Sequence, residues 1–460
     1  MLKVFDYNKI PVVEVVNEIL VDSSKRGASD IHFDPWEDYM KIRIRVDGQL
    51  IDYTEVPNTI KKNLVTRIKI ISGMNITESR LPQDGAIKAT LQDIPLDLRV
   101  SCLPTSNGEK IVIRILDYSM SLAGLETLGF SDKNYKKILQ MISIPNGIIL
   151  VTGATGSGKS TTVYSMLQRL NKEDTNIITV EDPIEMEIEG INQVQVSSEI
   201  GLTFANALRS ILRQDPNVIM IGEIRDNETA RIAVRASITG HIVLSTIHTN
   251  NSLNTIERLL DMDVERYLLA SALEGIISQK LARRLCPNCR AKRAATDYEK
   301  ELFQKVLHKD ITELYSAQGC EQCGNGYKGR IAVHEVLLIN QEIRDALSSG
   351  MPKEELRELV YKSDVETLLQ DGLQKVEQGL TTFEELLKLI ELDDVSEGDN
   401  EGGMDLKSAI DTARIALGEK EDQQNQAAKA HQEQMTQQTA TQVVATPTVK
   451  DNSQIVNAVQ

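Results

Sequence analysis

Short runs of alternating hydrophobic and polar residues characterise the first quarter of the chain. The segments KIRIRVDGQLIDY and EKIVIRIL place an apolar side chain at about every second position, which is typical of half-buried strands. Turn-forming pairs separate such segments at Asp47-Gly48, Asp84-Gly85 and Asn107-Gly108. The pattern predicts a small α/β domain over residues 1–116.

A second pattern begins after residues 117–129, which show no periodicity and predict a linker. Continuous apolar runs in GIILVTG, NIITVED, VIMIGE and GHIVLST alternate with helical stretches such as residues 203–213. Alternating strands and helices are typical of a parallel sheet covered by helices. We therefore predict an α/β core over residues 130–275.

The residue composition changes twice in the last third of the chain. Paired cysteines mark residues 276–330, and Leu, Glu and Lys at helical spacing predict a helical C-terminal lobe over residues 331–395. Residues 396–460 are acidic and rich in Gln, Ala and Thr, a composition that predicts disorder.

Composition narrows the class of protein. The formal charge of −16 argues against a general nucleic-acid binder, because such a protein needs a basic face to neutralise phosphates. No apolar run reaches the roughly 18 to 20 residues of a membrane span, and the start MLKVFDYNK does not resemble a leader. The sequence predicts a cytoplasmic protein.

The strongest motif follows the first buried strand of the core. The segment GATGSGKS fits G-x-x-x-x-G-K-[ST], and its members are Gly153, Ala154, Thr155, Gly156, Ser157, Gly158, Lys159 and Ser160. Its backbone N–H groups and the following helix favour phosphate, Lys159 reaches the outer phosphates and the Ser160 hydroxyl ligates Mg²⁺. We predict an ATP site that extends to Thr161.

Carboxylates end two other core strands. Glu223 follows the run VIMIG, where a P-loop protein places an acidic group for Mg²⁺ or its water. The run VEDPIE adds Glu181, Asp182 and Glu185 at the ligand-binding edge of the sheet. Glu181 or Glu185 could orient and deprotonate the attacking water, and the alternative is an acidic strand end in solvent.

Two pairs of residues have weaker support. Arg209 and Arg213 stand four residues apart in a helical stretch and could meet charge on the phosphoryl oxygens, or form surface ion pairs. His241 and His248 flank the run IVLSTI; a lone histidine beside a strand is more often structural than a sensor of the γ-phosphate.

At this point the chain resembles the ATPases of type II secretion and type IV pilus assembly, the GspE/PilB family. The resemblance runs from about residue 28 to residue 389. It rests on the ordered segments ASDIH, RVDG, RLPQDG, DLR, GEK, the P-loop, ITVEDPIE, LRQDPNVIMIGEIRD and GHIVLSTIHTN.

The resemblance implies a fold and roles for several residues. The fold class would be α/β, with a PAS-like N-terminal domain of the N2 type, a RecA-like P-loop ATPase core, a tetracysteine zinc module and a helical C-terminal lobe. Asp182 would belong to an Asp box, Glu223 would be the Walker B glutamate, and His241 and His248 would lie near the γ-phosphate. Three arginines of the N-terminal domain would reach ATP: Arg80, Arg99 and Arg114.

It also implies partners. Similar proteins work as homohexameric rings that turn an inner-membrane platform protein and add pilin subunits to a filament. We therefore expect a cytoplasmic location at the inner membrane, peripheral membrane association through partners, and no nucleic-acid partner. The chain departs from the usual motifs at Asn217 and in the segment AVHE at residues 332–335, and it is expected to lack the extra N-terminal docking domain of many assembly ATPases.

Two C-x-x-C pairs, Cys286/Cys289 and Cys320/Cys323, supply four thiolates that suit a tetrahedral zinc site. The 30 residues between the pairs exceed the usual spacing, and redox dithiols or free thiols are the alternative. By resemblance, assembly ATPases carry such an insert and retraction motors lack it. Nearby basic residues predict a surface for an acidic partner or for phospholipid head groups, with a solvated face as the alternative: Lys280, Arg283, Arg284, Arg290 and Lys292.

Two other functions stay open beside the assembly motor. The core fold is shared with P-loop motors that act on nucleic acid, against which the acidity argues. A nucleotide-gated scaffold without hydrolysis is the non-enzymatic alternative, against which the carboxylates of Glu181, Glu185 and Glu223 argue.

Overall fold

The structure, a computed structural model, describes residues 3, 5–7, 9–116 and 124–390. The first half of the predicted linker and the predicted disordered tail therefore lie outside the described residues. No helix within the described ranges combines the length and apolar character needed to cross a membrane.

The N-terminal part is an antiparallel sheet backed by two helices. Its strands β1–β6 are Ala28–Pro35, Tyr39–Val46, Gln49–Pro57, Gln83–Leu91, Ile94–Thr105 and Gly108–Leu116, and its helices α1 and α2 are Val12–Lys25 and Asn58–Ile71. The sheet order is β3-β2-β1-β6-β5-β4. Alternate residues of β2, Met40, Ile42 and Ile44, are fully buried, so the period-two pattern is confirmed here.

The predicted turn at Asp84-Gly85 is wrong, because both residues lie within β4. A Cβ on Gly85 would stand 2.3 Å from the carbonyl oxygen of Ser72, at the end of α2. The glycine is needed for this close approach of helix and strand rather than for a turn.

The second part is a mostly parallel sheet with helices on both faces. Its strands are β7 Gly147–Thr152, β8 Ile177–Glu181, β9 Asn192–Gln195, β10 Val218–Ile221, β11 Ile242–Ile247, β12 Leu273–Leu285 and, after two strands of the cysteine region, β15 Tyr327–Leu338. The helices of this part are α3 Asp132–Ile142, α4 Lys159–Leu170, α5 Phe204–Ile211, α6 Asn227–Ile238, α7 Ser252–Asp261 and α8 Arg266–Ala272. The order is β15-β12-β7-β11-β10-β8-β9, and only β15 runs antiparallel to its neighbour.

Every residue of β7, β8, β10 and β11 is buried, which explains the uninterrupted apolar runs in the sequence. Because these strands are parallel, their carboxyl ends meet at one edge of the sheet. The mixed α/β fold class is confirmed.

The predicted limits at residues 275/276 and 330/331 need correction, since they fall inside β12 and β15. These two strands pair along their length and belong to the central sheet, so residues 331–338 are not part of a helical lobe. A short apolar run such as IAVHEVLLI suits a buried strand or a buried helix equally, and periodicity alone does not separate them.

The remaining elements surround the cysteines and follow β15. They are β13 Ala291–Ala294, α9 Asp297–Leu307, β14 Glu313–Ser316, α10 Gln341–Ser349, α11 Lys353–Lys362, α12 Leu368–Glu377 and α13 Phe383–Leu389. The helical spacing beyond residue 340 is confirmed: Leu356, Val360, Leu386 and Leu387 are all buried.

Candidate ATP site and cysteine centre

The P-loop connects the end of β7 to the start of α4. Gly153, Gly156 and Gly158 have φ angles of 150°, 79° and 89°, values that L side chains rarely adopt. The Nζ of Lys159 donates to the carbonyl oxygens of Gly153 at 2.8 Å and of Ala154 at 3.1 Å. Burial lowers the pKa of Lys159, and the charge of Glu223 opposes that shift.

A cavity of about 1030 Å³ lies against this loop at the carboxyl edge of the sheet. Residues of the loop and of α4 form one wall, and Glu181, Asp182, Glu185, Glu223 and His248 face the same space. The sheet thus brings together side chains that lie 89 residues apart in sequence, Lys159 and His248. The volume suits a nucleotide-sized ligand.

Glu223 is held at the cavity by the neighbouring strand. The hydroxyl of Thr246 donates to the carbonyl of Gly222 at 2.8 Å, and the Ile224 N–H donates to the Thr246 carbonyl at 3.0 Å. The Glu223 carboxylate, whose side chain is only 12% exposed, pairs with Arg225 and lies 3.4 Å from Nε2 of His248. This carboxylate faces the cavity within reach of charge carried by a ligand.

Glu181 differs from Glu223 in that both its oxygens are engaged. The hydroxyl of Tyr164 donates to one oxygen, while Thr179 at 2.5 Å and Gln193 at 3.1 Å donate to the other. The Tyr164 hydroxyl also accepts from the N–H of Glu185 at 3.2 Å. Burial and the Glu181 carboxylate raise the pKa of Tyr164, so the phenol keeps its proton.

The two predicted histidines lie at opposite ends of strand β11. His248 follows β11 and lines the cavity; burial, followed by the charge of Lys159, lowers its pKa, so the ring is neutral at neutral pH. His241 precedes β11, and its Nδ1 lies 2.8 Å from the Ala236 carbonyl. Because a strand of this length spans roughly 20 Å, His241 is far from the phosphate loop of its own chain, contrary to expectation.

The predicted arginines also separate. Arg114 lines the cavity, and Arg99 donates to the Ile184 carbonyl at 2.6 Å and pairs with Glu185 at 3.4 Å. Arg80 is 86% exposed and pairs with Glu78. Arg209 pairs with Glu228 on the surface, and Arg213 lies beyond the end of α5, so neither lines the cavity.

Sequence reasoning missed several residues that shape the site. Thr152, Thr249 and Thr255 form a chain of hydroxyl contacts of 2.5 Å and 2.6 Å, which fixes the segment after His248 to the end of β7. Tyr164 ties Glu181 to Glu185. None of these belongs to a charged or metal-binding pattern; only their places next to the P-loop and the IHTN segment could have suggested them.

The four cysteines converge as predicted. Their sulfur atoms lie within 4.8 Å of one another, and Sγ of Cys323 is 3.5 Å from Sγ of both Cys289 and Cys320. Four sulfurs around zinc at about 2.3 Å would be ~3.8 Å apart, so the donor set fits this ion. A backbone N–H from Gln322, followed by the Cys323 thiol, lowers the pKa of Cys320 to about 7, whereas burial, followed by the Cys323 thiol, raises the pKa of Cys289.

The basic residues beside the cysteines mostly contact the chain itself. Arg283 forms a two-point contact with Glu385 at 2.6 Å and 2.7 Å, Arg290 donates to the Gly379 carbonyl at 2.5 Å, and Lys280 donates to the Leu389 carbonyl at 2.9 Å. Arg284 lines the ATP cavity. These contacts attach the cysteine region to the segment after α12, rather than leaving a basic face to solvent.

Comparisons with known proteins agree with this geometry. The family model "Type II/IV secretion system protein" matches residues 6–388. Type II secretion system protein E of Dickeya dadantii is 45% identical over 380 residues, which cover 82% of this chain and 76% of that protein.

Two further relatives represent pilus systems. The type IV pilus assembly ATPase PilB of Thermus thermophilus is 44% identical over 374 residues, covering 81% of this chain and 42% of that protein. The solved structure of the pilus retraction motor PilT with bound ADP has a TM-score of 0.57 and 27% identity, covering 81% of this chain and 96% of that one. The chain thus belongs to the family of type II/IV secretion system proteins.

Proposed function

We propose that this protein is a cytoplasmic ATPase that works as a homohexamer and couples ATP hydrolysis to assembly of a type IV pilus or a type II secretion pseudopilus. Membership of the family and the similarity to the pilus assembly ATPase PilB support the ATPase activity. The single observation that carries the proposal is the convergence of Lys159, Glu223 and His248 on one cavity beside the P-loop.

The roles follow from position. The N–H groups of residues 153–160 and the Lys159 ammonium would bind the phosphates, and the Ser160 hydroxyl with the Glu223 carboxylate offers the oxygen ligands that Mg²⁺ prefers. Bound Mg²⁺ neutralises charge on the β- and γ-phosphates. Glu181 is poorly placed to act as the general base, because both of its oxygens already accept hydrogen bonds, and Glu185 and Glu223 are the remaining candidates.

A ring would give further arginines access to the phosphates. Arg80, Arg209 and Arg213 lie outside the cavity of their own chain, so a role for them at the phosphates requires a neighbouring copy. Arg99 joins the N-terminal domain to the cavity wall within one chain, and Arg114 of the same domain lines the cavity. Nucleotide binding and release would then move the two domains against each other, and an inner-membrane platform protein would receive that motion.

The test is steady-state ATP hydrolysis by the purified protein with its mass in solution, for the wild type and Lys159→Ala. Hydrolysis by a six-subunit species, lost in the variant, is the expected result. Turnover that requires added DNA would favour the nucleic-acid motor. Nucleotide binding without turnover in any oligomeric state, even with membranes that contain the platform protein, would favour the scaffold.

A further inference from the structure

Next to the P-loop lies a buried amide to which neither the motif nor the mechanism above gives a role. Gln279 stands on β12, and the residue is only 2% exposed. Ser278 pairs with Thr152, the last residue of β7. Gln279 therefore lies beside the point at which β7 ends and the phosphate loop begins. Its position is set by the sheet rather than by the loop.

The Gln279 amide joins the two halves of the phosphate site. Its Nε2 donates to the carbonyl oxygen of Ser157 at 2.6 Å, and its Oε1 accepts from the hydroxyl of Thr162 at 2.7 Å. Ser157 belongs to the loop and Thr162 to the first turn of α4. One side chain therefore fixes both the loop and the helix whose N-terminus faces the phosphates.

The bond to Ser157 also sets the direction of a peptide plane. In a trans peptide the C=O and the N–H point in opposite directions. Because the Ser157 carbonyl points at Gln279, the N–H of Gly158 points away from it, as binding of phosphate by that N–H requires. Without the amide, this plane would lose the partner that defines its orientation.

Two glycines of the motif accommodate this strand. A Cβ on Gly153 would stand 2.4 Å from the Gln279 carbonyl oxygen, and a Cβ on Gly158 would stand 2.9 Å from Gln279 Nε2. Both glycines also have positive φ, so close packing and backbone conformation impose the same requirement. The loop and β12 fit each other at the Gln279 side chain.

We propose that Gln279 is a positioning residue for ATP, which holds the Ser157–Gly158 peptide and the start of α4 in their phosphate-binding orientation. The inference rests on the proposed function, since it takes the cavity as the ATP site. It assigns Gln279 no contact with the reacting atoms. Its loss should weaken phosphate binding before it affects the folding of the protein.

The experiment compares Gln279→Met with Gln374→Met in the full-length protein. Methionine keeps the length of the side chain and removes both hydrogen bonds. Gln374 of α12 is a matched control. Its amide donates to Glu366 at 2.5 Å, and the residue lies away from the cavity. Binding of Mg-ADP and of Mg-ATP, kcat, KM and the melting temperature are measured for both variants.

We expect Gln279→Met to raise the dissociation constant of Mg-ADP and the KM for ATP about tenfold, with a smaller change in kcat, since each lost hydrogen bond contributes severalfold. Gln374→Met should leave both constants within twofold. Unchanged Mg-ADP affinity in a folded Gln279→Met protein would overturn the proposal. So would an equal loss of affinity in both variants.

A second variant keeps the test decisive if Gln279→Met does not fold. Thr162→Val removes one of the two bonds and should raise the Mg-ADP dissociation constant two- to threefold, whereas wild-type affinity would count against the proposal. In the double variant, Thr162→Val should add nothing to Gln279→Met, because its partner is already gone. Failure of wild-type turnover would speak against the ATPase alone, since Mg-ADP binding is read separately.

Discussion

The ATP cavity and the cysteine cluster both have glycines in unusual backbone conformations at their borders, but the two sites serve different purposes. Each is bordered by glycines with positive φ, Gly156 and Gly158 in one and Gly324 and Gly326 in the other. In the cavity the polar side chains face about 1030 Å³ of open space, whereas the four sulfurs lie within 4.8 Å of one another. An open set of polar groups can bind and transform a ligand, while a closed set of four can only hold the chain together.

The largest effect separating the two regions should come from Glu223→Gln. This change removes the negative charge of Glu223 and keeps the shape of the side chain, so kcat should fall about 10²- to 10³-fold with Mg-ATP binding retained. Single-turnover hydrolysis measures the fall in rate, and a binding assay measures whether affinity for Mg-ATP is retained. The control is Glu313→Gln in the cysteine region, whose side chain pairs with Lys292 on the surface; a comparable loss in that variant would break the contrast.

Next in size is Cys320→Ser. Loss of one of four sulfur ligands should lower zinc affinity at least about 100-fold, or ~2.7 kcal/mol, and reduce the melting temperature, while kcat stays within about fivefold. Metal content, thermal unfolding and turnover are measured together. Cys102→Ser, at a buried thiol of the N-terminal sheet, should retain full zinc content. Abolished turnover in a folded Cys320→Ser protein would mean that the cluster contributes directly to the chemistry.

A third prediction concerns His334, which lies on β15. The ring is fully buried and stacks on Phe130 at 3.8 Å, and burial, followed by the charge of Lys375, holds the pKa of His334 well below its usual range. The folded state keeps this histidine neutral, whereas the unfolded chain takes up a proton as the pH falls below about 6.5. Stability is therefore complete above that pH and declines as the pH falls towards the folded pKa.

The free energy of unfolding should fall with a slope approaching ~1.4 kcal/mol per pH unit between pH 6.5 and 5. Urea unfolding of the wild type and of His334→Phe across this range measures it, since phenylalanine removes the titrating group and keeps a ring against Phe130. The nearby pair Asp371 and Lys375 is common to both proteins. Parallel pH dependences would refute the assignment to His334.

The smallest expected effect is that of Arg99→Ala. The Arg99 contacts to Ile184 and Glu185 join the N-terminal domain to the cavity wall, but about a third of the Arg99 side chain is exposed, so water screens the ion pair. KM for ATP should rise two- to fivefold with kcat within twofold. Arg26→Ala, which breaks a surface pair with Asp22, should change neither constant. A loss in kcat alone would place Arg99 at the transition state instead.

The cavity could be predicted further than its surroundings because its signals are local. The spacing of Gly153, Gly158 and Lys159 determines a loop by itself, and an apolar run followed by Glu223 determines a strand end at the ligand edge. Each C-x-x-C pair is likewise a local signal, and the fold has only to bring the two pairs together. In these cases the residues that carry the chemistry lie within a few consecutive positions of the sequence.

Other features depend on which end or face of an element meets the rest of the chain. His241 and His248 flank one strand, and the rule that places Glu223 at the carboxyl edge also separates them, since only His248 follows the carboxyl end of that strand. Gly85 resembles a turn residue until the carbonyl of Ser72 is seen against it. Gln279 carries no motif, because its partners Ser157 and Thr162 lie more than 100 residues earlier in the sequence.

One strand connects the two regions that have been contrasted. β12 runs from Leu273 through Gln279 to Leu285, and Cys286 follows at once. The seven steps from Gln279 to Cys286 cover roughly 23 Å of extended chain, with one irregularity of pairing between Arg283 and Leu285. A displacement of Cys286 along β12 would be passed towards Gln279, so one strand offers a mechanical route between the cysteine cluster and the phosphate loop.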